Sequence, residues 1–401
     1  MTPRPTVLCL ASYLKGGRFL EALKAEGCTV LLLTLDSLRN EKWPWHAIDD
    51  VVTMPTFHNP RHMINCVAYR MRTRRIDRIV SLDDFDVEVA ANLREHFRML
   101  DTGPGDSTAR LFRDKLAMRT RARELGIRVP DFTGICHHWA VTDFLARVPP
   151  PWLMKPRSEA SAAGIRTFHH ADHVWQRIHE LGDDQSFYLL EQMVPGDLYH
   201  VDSLVRNGEV IFAEVNGYLR PLLDVYHGGG IYGTRTVPRD RPEVKALRAA
   251  NAAVLTGFGL GWGASHTEFM QARADGELYF IETSARVGGA HTAEMVEHAT
   301  GVNLWVEWAK LELARTGGTY QLPAAKNGYG GVVMSLARQE RPDTSGFTDP
   351  EIVHRADQWH HIGFVVASDD PARVEQLLGD YSKRIARDYH AAMPAADKVS
   401  H

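Results

Sequence analysis

Ser265-His-Thr-Glu-Phe-Met270 and Leu278-Tyr-Phe-Ile-Glu-Thr-Ser-Ala-Arg-Val-Gly-Gly289 are the two stretches whose reading decides the fold. Each sets a glutamate, Glu268 and Glu282, inside an apolar run that reads as a strand: Ala264 to Gln271 and Glu277 to Thr283, turning over Ala274-Asp275-Gly276. If the hairpin closes on those three residues, 268 and 282 add to the same sum as 273 and 277, so the two carboxylates face each other on one side of the sheet; a one-residue slip would offset them. Two facing carboxylates repel, and one would hold its proton, unless a cation lies between them. A hard cation such as Mg²⁺, bridging them to phosphate oxygens, fits that need, against the plainer alternative of two solvated residues on a half-exposed sheet.

Around this hairpin the chain falls into parts. Val7-Leu-Cys-Leu-Ala, the helical pattern Phe19, Leu20, Leu23 after Gly16-Gly17, Val30-Leu-Leu-Leu, Arg78-Ile-Val-Ser-Leu and the helix Asp86 to Phe97 alternate strand with helix. That alternation implies parallel strands buried on both faces, an open doubly wound α/β unit over the first hundred or so residues. The turn-rich Asp101 to Ser107 is the first boundary, and a helix is expected over Thr108 to Leu125 before Gly126. Past Pro149-Pro-Pro151 come the strand Trp152-Leu-Met-Lys155 and then hairpins: Phe187 to Val194, Tyr199 to Val205 and Val210 to Val215, the last two joined by Asn207-Gly208. Helices follow over Pro242 to Leu255 and Asn303 to Leu313. The last eighty or so residues read as one more small α/β unit (Gly330 to Met334, His361 to Val366, a helix from Pro371 to Tyr381), with a frayed tail from Ala392.

Composition narrows the function classes. A chain of 401 residues with 44% hydrophobic and 24% charged residues is long enough for two or three folded domains, and it excludes disorder over most of its length. Lysine plus arginine, 46, nearly balances aspartate plus glutamate, 50, so charge gives no reason to invoke a nucleic-acid or membrane partner. Cys9, Cys28, Cys66 and Cys136 lie far apart without a Cys-x-x-Cys motif and read as reduced thiols. The apolar stretch after Met1-Thr-Pro-Arg-Pro is too short to span a membrane and lacks a small-residue cleavage site, so a cytoplasmic enzyme is expected.

Other side chains suit an anion. Arg286 stands four residues after Glu282 with Gly288 and Gly289 behind it, where backbone N–H groups can approach a carboxylate or phosphate and a guanidinium can grip it in two parallel bonds. Lys155 ends a hydrophobic strand, so its ammonium either snorkels to water or meets an anion. The small, polar Arg157-Ser-Glu-Ala-Ser-Ala-Ala-Gly164 after it suits a mobile flap, though most such loops are turns, and no phosphate-binding Gly-x-x-x-x-Gly-Lys-Ser/Thr motif occurs. Four glycines between Gly228 and Gly233 suggest a lid whose neighbours Tyr226, Tyr232 and Arg235 line a pocket, the alternative being a surface loop.

Taken in order, the helix opening Phe112-Arg-Asp-Lys115, the strand Leu153-Met-Lys-Pro, the small-residue loop, Leu189-Leu-Glu-Gln-Met-Val-Pro-Gly196, Glu268 and Glu282-Thr-Ser-Ala-Arg286 resemble the ATP-grasp superfamily over about residues 105 to 310. The resemblance implies a pre-ATP-grasp α/β domain (1–104), an α+β ATP-grasp domain (105–310, with a flap-bearing subdomain over about 128–194 and a metal-binding one over about 195–310) and a small C-terminal α/β unit (311–401). Lys115 and Lys155 would contact ATP phosphates, and the loop with Ser158, Ser161 and Gly164 would close over them. Glu191, Gln192 and the backbone through Val194 would hold the adenine edge, and His200 or Asp197 would approach the ribose. Glu268 and Glu282 would ligate Mg²⁺, or Mn²⁺ in its stead. Ser284 stands where the family carries a metal-binding asparagine, which puts the second metal's coordination in doubt. Arg286 would hold the acyl phosphate or substrate carboxylate, with Gly288, Gly289, Tyr226 and Arg235 near the substrate.

The activity implied resembles that of L-amino acid ligases: a carboxylic acid is phosphorylated by ATP and the acyl phosphate is taken by an amine, giving ADP and phosphate. The alternatives are a bicarbonate-activating enzyme similar to biotin carboxylase, which the segment around His200 resembles but for which no Met-Lys-Met biotinylation site is present, and a nucleotide-binding regulatory protein without turnover. Small-molecule acids and amines are the implied partners, with a homodimer through the N- or C-terminal unit compatible with the chain.

Overall fold

The computed structural model describes residues 4–160, 162–315 and 318–392. The first four strands, β1 (Thr6–Ala11), β2 (Thr29–Leu35), β3 (Asp50–Met54) and β4 (Arg78–Ser81), form a parallel sheet in the order β3-β2-β1-β4. Alternate residues of β1 serve different layers. Val7 and Cys9 pack with Phe19 and Leu23 of the helix Gly17–Ala25, while Leu8 and Leu10 pack with Met63 and Val67 of the helix Pro60–Met71 and with Ala90 of the helix Val87–His96. This two-sided burial is why β1 and β2 read as unbroken apolar runs. The sequence reading did not place β3: it is an edge strand with every residue half-buried, and Asp50 at its start masks the pattern.

A second sheet, antiparallel throughout, holds β5 (Phe132–Gly134), β6 (Trp152–Pro156), β7 (Arg166–Phe168) and β8 (Tyr188–Gln192) in the order β5-β8-β6-β7. Helices His138–Arg147 and Ala171–Leu181 cover it through Val141, Phe144, Val174 and Ile178. The third sheet has eight antiparallel strands: β9 (Gly196–Arg206), β10 (Glu209–Tyr218), β11 (Tyr232–Thr236), β12 (Trp262–Ala272), β13 (Leu278–Ser284), β14 (Tyr329–Leu336), β15 (Ile352–Arg355) and β16 (His361–Ser368), in the order β13-β12-β9-β10-β11-β14-β16-β15. Asn207 and Gly208 both take positive φ (53° and 77°) between β9 and β10, the primed-turn geometry that this dipeptide favours. The three C-terminal strands continue this sheet through β14 on β11, with the helix Pro371–Asp388 packed on them.

The helix expected over Thr108 to Leu125 is two helices, Asp106–Arg110 and Lys115–Glu124. Asp114 makes the break: its carboxylate accepts from the N–H groups of Leu116 (2.9 Å) and Ala117 (3.3 Å) and so starts the second helix afresh. Lys115 is thereby the first residue of a helix, with its own N–H on the Arg157 carbonyl at 2.8 Å. Among the described residues no helix is long and apolar enough to cross a membrane.

Candidate active site

A cavity of about 690 Å³ opens between the second and third sheets, with the loop after β4 at one end. One part is apolar, walled by Leu153, Ile165, Met193, Leu198, Met270 and Ile281; the rest is charged, with seven carboxylates against five lysines and arginines. Glu268 and Glu282 both line it and are register partners across the β12–β13 hairpin. They meet by a route the sequence conceals. Nearer the turn, Gln271 pairs with Leu278 and Phe269 with Phe280, one residue short of the expected register, and Ile281 then bulges out as the extra residue that brings 282 opposite 268. Among the described residues, one oxygen of each carboxylate is engaged. Tyr218 donates its hydroxyl to Glu268 Oε1 at 2.7 Å, and Lys115 Nζ lies 3.0 Å from Glu282 Oε2.

Behind Glu268 lies a buried polar network. Asp202 Oδ1 is 2.8 Å from His266 Nδ1, and Asp202 Oδ2 accepts from His200 Nδ1 (2.7 Å) and Asn216 Nδ2 (2.9 Å). His266 Nε2 sits 3.6 Å from Glu268 Oε1. Burial works against a charged imidazole, but Asp202 outweighs it and pushes His266 up to about 9, so a cation stands between two anions at neutral pH. Burial likewise opposes the Glu268 carboxylate, and the hydrogen bond from His266 more than offsets it, leaving Glu268 below its ordinary value. The Tyr218 hydroxyl, pushed far up by burial and by Glu268, stays a donor.

The cations are held by neighbouring anions. Lys115 Nζ donates to the Glu159 carbonyl at 2.6 Å, which ties that residue to the helix, and Arg157 pairs with Asp114. Lys155 meets an anion, the carboxylate of Glu191. Arg286 forms a two-pronged pair with Asp84, its Nε at 2.8 Å, and donates Nη1 to the Val287 carbonyl. Next to it Lys15 pairs with Asp83.

Of the residues singled out from the sequence, Lys115, Lys155, Glu191, Gln192, Val194, Tyr226, Glu268, Glu282, Arg286 and Gly289 line this one cavity. Others do not. His200 is fully buried with both ring nitrogens engaged, on Asp202 and on Thr234 Oγ1 (2.7 Å), so it offers nothing to a ribose; Asp197 is exposed beside Arg273. Glu191 lines the cavity with its carboxylate held by Lys155 on Oε1 and by Arg119 on Oε2. Arg235 faces Glu375 at 3.5 Å, off the cavity wall. Gly288 serves packing: a Cβ there would stand 2.8 Å from Asp202 Oδ1 and 2.9 Å from His266 Nδ1. Ser158, Gly164 and Ser284 are not in the wall, Ser284 lying opposite His266 at the end of β13. Ser161 lies outside the described residues, as does the tail beyond Ala392. The glycine-rich lid is in part a helix, Leu222–Gly228, which brings Leu222 and Tyr226 to the cavity.

Several residues of the wall or its support escaped the sequence reading. Arg119 had a signal: Lys115, Met118, Arg119 and Ala122 share the inward face of a helix, and a charged residue there needs a partner. Asp83 and Asp84 had another, since they follow a parallel strand at its carboxyl end, where open α/β sheets place ligands. The partnership of Asp202 with His266 joins residues 64 apart in sequence and had no local sign.

No family model matches the chain. Over 271 residues it is 26% identical to the L-arginine-specific L-amino acid ligase of Bacillus subtilis, a match that covers 66% of this chain and 63% of that relative's length. An L-amino acid ligase from Bacillus licheniformis superposes with a TM-score of 0.74 at 14% identity, covering 98% of this chain and 100% of the other. N5-carboxyaminoimidazole synthetase of Staphylococcus aureus, complexed with ADP, gives 0.72 at 12% identity over 94% and 97% of the two chains. The biotin carboxylase domain of Hydrogenobacter thermophilus 2-oxoglutarate carboxylase, solved with MgADP and bicarbonate, gives 0.71 at 15% over 96% and 90%. These likenesses show the fold: the chain has the ATP-grasp architecture.

Proposed function

We propose that this chain is an ATP-dependent carboxylate–amine ligase of the L-amino acid ligase kind, forming an amide through an acyl phosphate and releasing ADP and phosphate. The observation that carries the proposal is the pairing of Glu268 with Glu282 across a hairpin, on the wall of the same cavity as Lys115, Lys155 and Arg286. The sequence match to an L-arginine-specific L-amino acid ligase favours amide formation over bicarbonate activation, for which the support is likeness of fold alone.

The donor set fits a divalent cation. Each of the two glutamates has one oxygen without a hydrogen-bond partner among the described residues, and hard carboxylate oxygens are what Mg²⁺ takes. A wall with more carboxylates than lysines and arginines would also repel a bare triphosphate, so the nucleotide is expected to enter with its metal. Glu268 and Glu282 would hold it, and it would offset charge on the phosphate oxygens.

The chain's own residues do the rest. The apolar wall from Leu153 to Ile281 takes the adenine; the Val194 N–H, without a partner among the described residues, is offered to its edge, whereas those of Gln192 and Met193 are already on Asp131 and Pro151. Lys115 and Lys155 face the phosphates, and the 157–164 loop keeps out water that would hydrolyse the intermediate. Arg286, oriented by Asp84 and Val287, keeps two N–H groups for the acid's carboxylate. A carboxylate oxygen takes the γ-phosphoryl group, ADP departs, and the amine nitrogen then attacks the acyl carbon. Phosphate leaves and the nitrogen loses a proton. No protein nucleophile is required.

This reading brings with it the division 1–104, 105–310 and 311–401, a cytoplasmic place of action for a chain whose four cysteines are free thiols, and pairing into homodimers, which light scattering checks. The test of function is phosphate release from ATP across pools of amino acids. Release that requires a carboxylic acid and an amine together supports the ligase; release that requires bicarbonate and biotin, or none under any condition, overturns it.

A further inference from the structure

Arg119 has no exposed surface, and its guanidinium reaches two parts of the site through hydrogen bonds from Nε and Nη1, while Nη2 forms none among the described residues. Nε and Nη2 lie 3.1 Å and 3.0 Å from Glu191 Oε2, on β8 of the second sheet. Nη1 donates to the carbonyl of Ile281, the bulged residue of β13 in the third sheet. The other oxygen of Glu191, Oε1, takes Lys155 Nζ. One buried carboxylate therefore lies between two cations, and the group carries a net single positive charge.

That arrangement bears on how Lys155 can serve a nucleotide, and here the inference rests on the reading of the cavity as an ATP site. If Lys155 were the sole partner of Glu191, moving its ammonium toward a phosphate would strand a buried carboxylate, which is strongly unfavourable. With Arg119 fixed on Oε2, the carboxylate stays compensated when Lys155 turns away. We propose that Arg119 is a positioning residue: by neutralising Glu191 it releases Lys155 to the nucleotide. The helix Lys115–Glu124 then does more than present Lys115, because its second inward cation clamps the strand that carries Lys155's partner to the strand that carries the metal-facing carboxylate.

Charge compensation makes a prediction that simple packing does not. Binding of ATP with Mg²⁺ is measured by calorimetry, without acid or amine, on the full chain and on Arg119→Met, Arg119→Lys and the double variant Arg119→Met/Glu191→Gln. Arg119→Met is expected to bind about 10-fold or more weakly, because Lys155 is then retained by Glu191. In the double variant nothing retains Lys155, and most of the lost affinity is expected to return; a packing role predicts that the second substitution leaves affinity as poor or poorer. Arg119→Lys, which keeps a cation beside Glu191 while giving up the fork to Ile281, is expected within about threefold of the parent and decides the matter if the methionine variants do not fold. Undiminished binding by Arg119→Met, a double variant as weak as the single one, or tenfold loss in folded Arg119→Lys would each overturn the inference while leaving the ATP reading intact. Failure of the parent chain itself to bind would overturn that reading instead.

Discussion

Replacing Glu282 by Gln separates chemistry from folding more cleanly than any other single change. The side chain is 28% exposed, and its one ionic contact among the described residues is to Lys115 Nζ at 3.0 Å, a lysine that also donates to the Glu159 carbonyl. Glutamine keeps the volume and can still accept a hydrogen bond from the ammonium, so the loss is a partly solvated ion pair worth about 1 kcal/mol. For a chain of 401 residues, unfolding entropy of about 2.1 cal/mol/K per residue converts that into a fall in Tm of about 1 °C. The charge facing the phosphates is different: a group that stabilises charge as the phosphoryl moves contributes about 3–4 kcal/mol, or 10²–10³-fold in kcat. The assay is ADP formation with acid and amine saturating, alongside a thermal melt. A variant within a degree or two of the parent in Tm and at least 100-fold slower agrees with the account. Activity within tenfold of the parent would refute the metal-facing role of this carboxylate, and a melt lowered by 10 °C would refute the claim that its part in stability is small.

Two further expectations concern the support of the cavity. Burial, reinforced by Asp83, raises Asp86 from 3.8 to about 7, although the Ser12 N–H at 2.8 Å opposes the shift. Because this folded-state value lies above the unfolded one, the folded chain binds the extra proton between those limits, and stability from this group falls as pH rises from 4 to 7, by up to about 4 kcal/mol. Asp86→Asn should therefore raise Tm at pH 8 and change it little at pH 4; an equal effect at both would contradict the assignment. Gly288→Ala drives a methyl group against the Asp202–His266 pair and should cost about 1–3 kcal/mol while lowering kcat; an unchanged melt and unchanged turnover would show that the pair does not need that close approach.

Much of this was legible in the sequence wherever a property of neighbouring residues decides the outcome. β1 and β2 announce themselves because burial on both faces demands unbroken apolar runs, and Asn207-Gly208 announces its turn through the backbone it tolerates. The hairpin of Glu268 and Glu282 was legible in its result and not in its path: the Ile281 carbonyl at the bulge meets Arg119, 162 residues away in sequence, and nothing local marks it. His200 was not legible for a related reason. A histidine in a strand looks the same from the sequence whether it faces a ligand or is locked between Asp202 and Thr234, whose hydrogen bonds settle the matter only after the sheet has formed. Glu191 lies on the cavity wall as expected, and what the sequence did not show is its partner Arg119, because that cation comes from another element.

If Glu268 and Glu282 clamp a divalent cation to the phosphates of a nucleotide in the cavity between the two sheets, nucleotide binding must depend on both the metal and the pair. The most direct test is a calorimetric titration with ATP, in Mg²⁺ and in excess chelator, of the chain and of the Glu268→Gln/Glu282→Gln variant. One nucleotide is expected to bind per chain, with affinity that falls at least tenfold on removing either the metal or the two carboxylates, and with no further fall on removing both. Binding indifferent to both changes, or no binding at all, would contradict it.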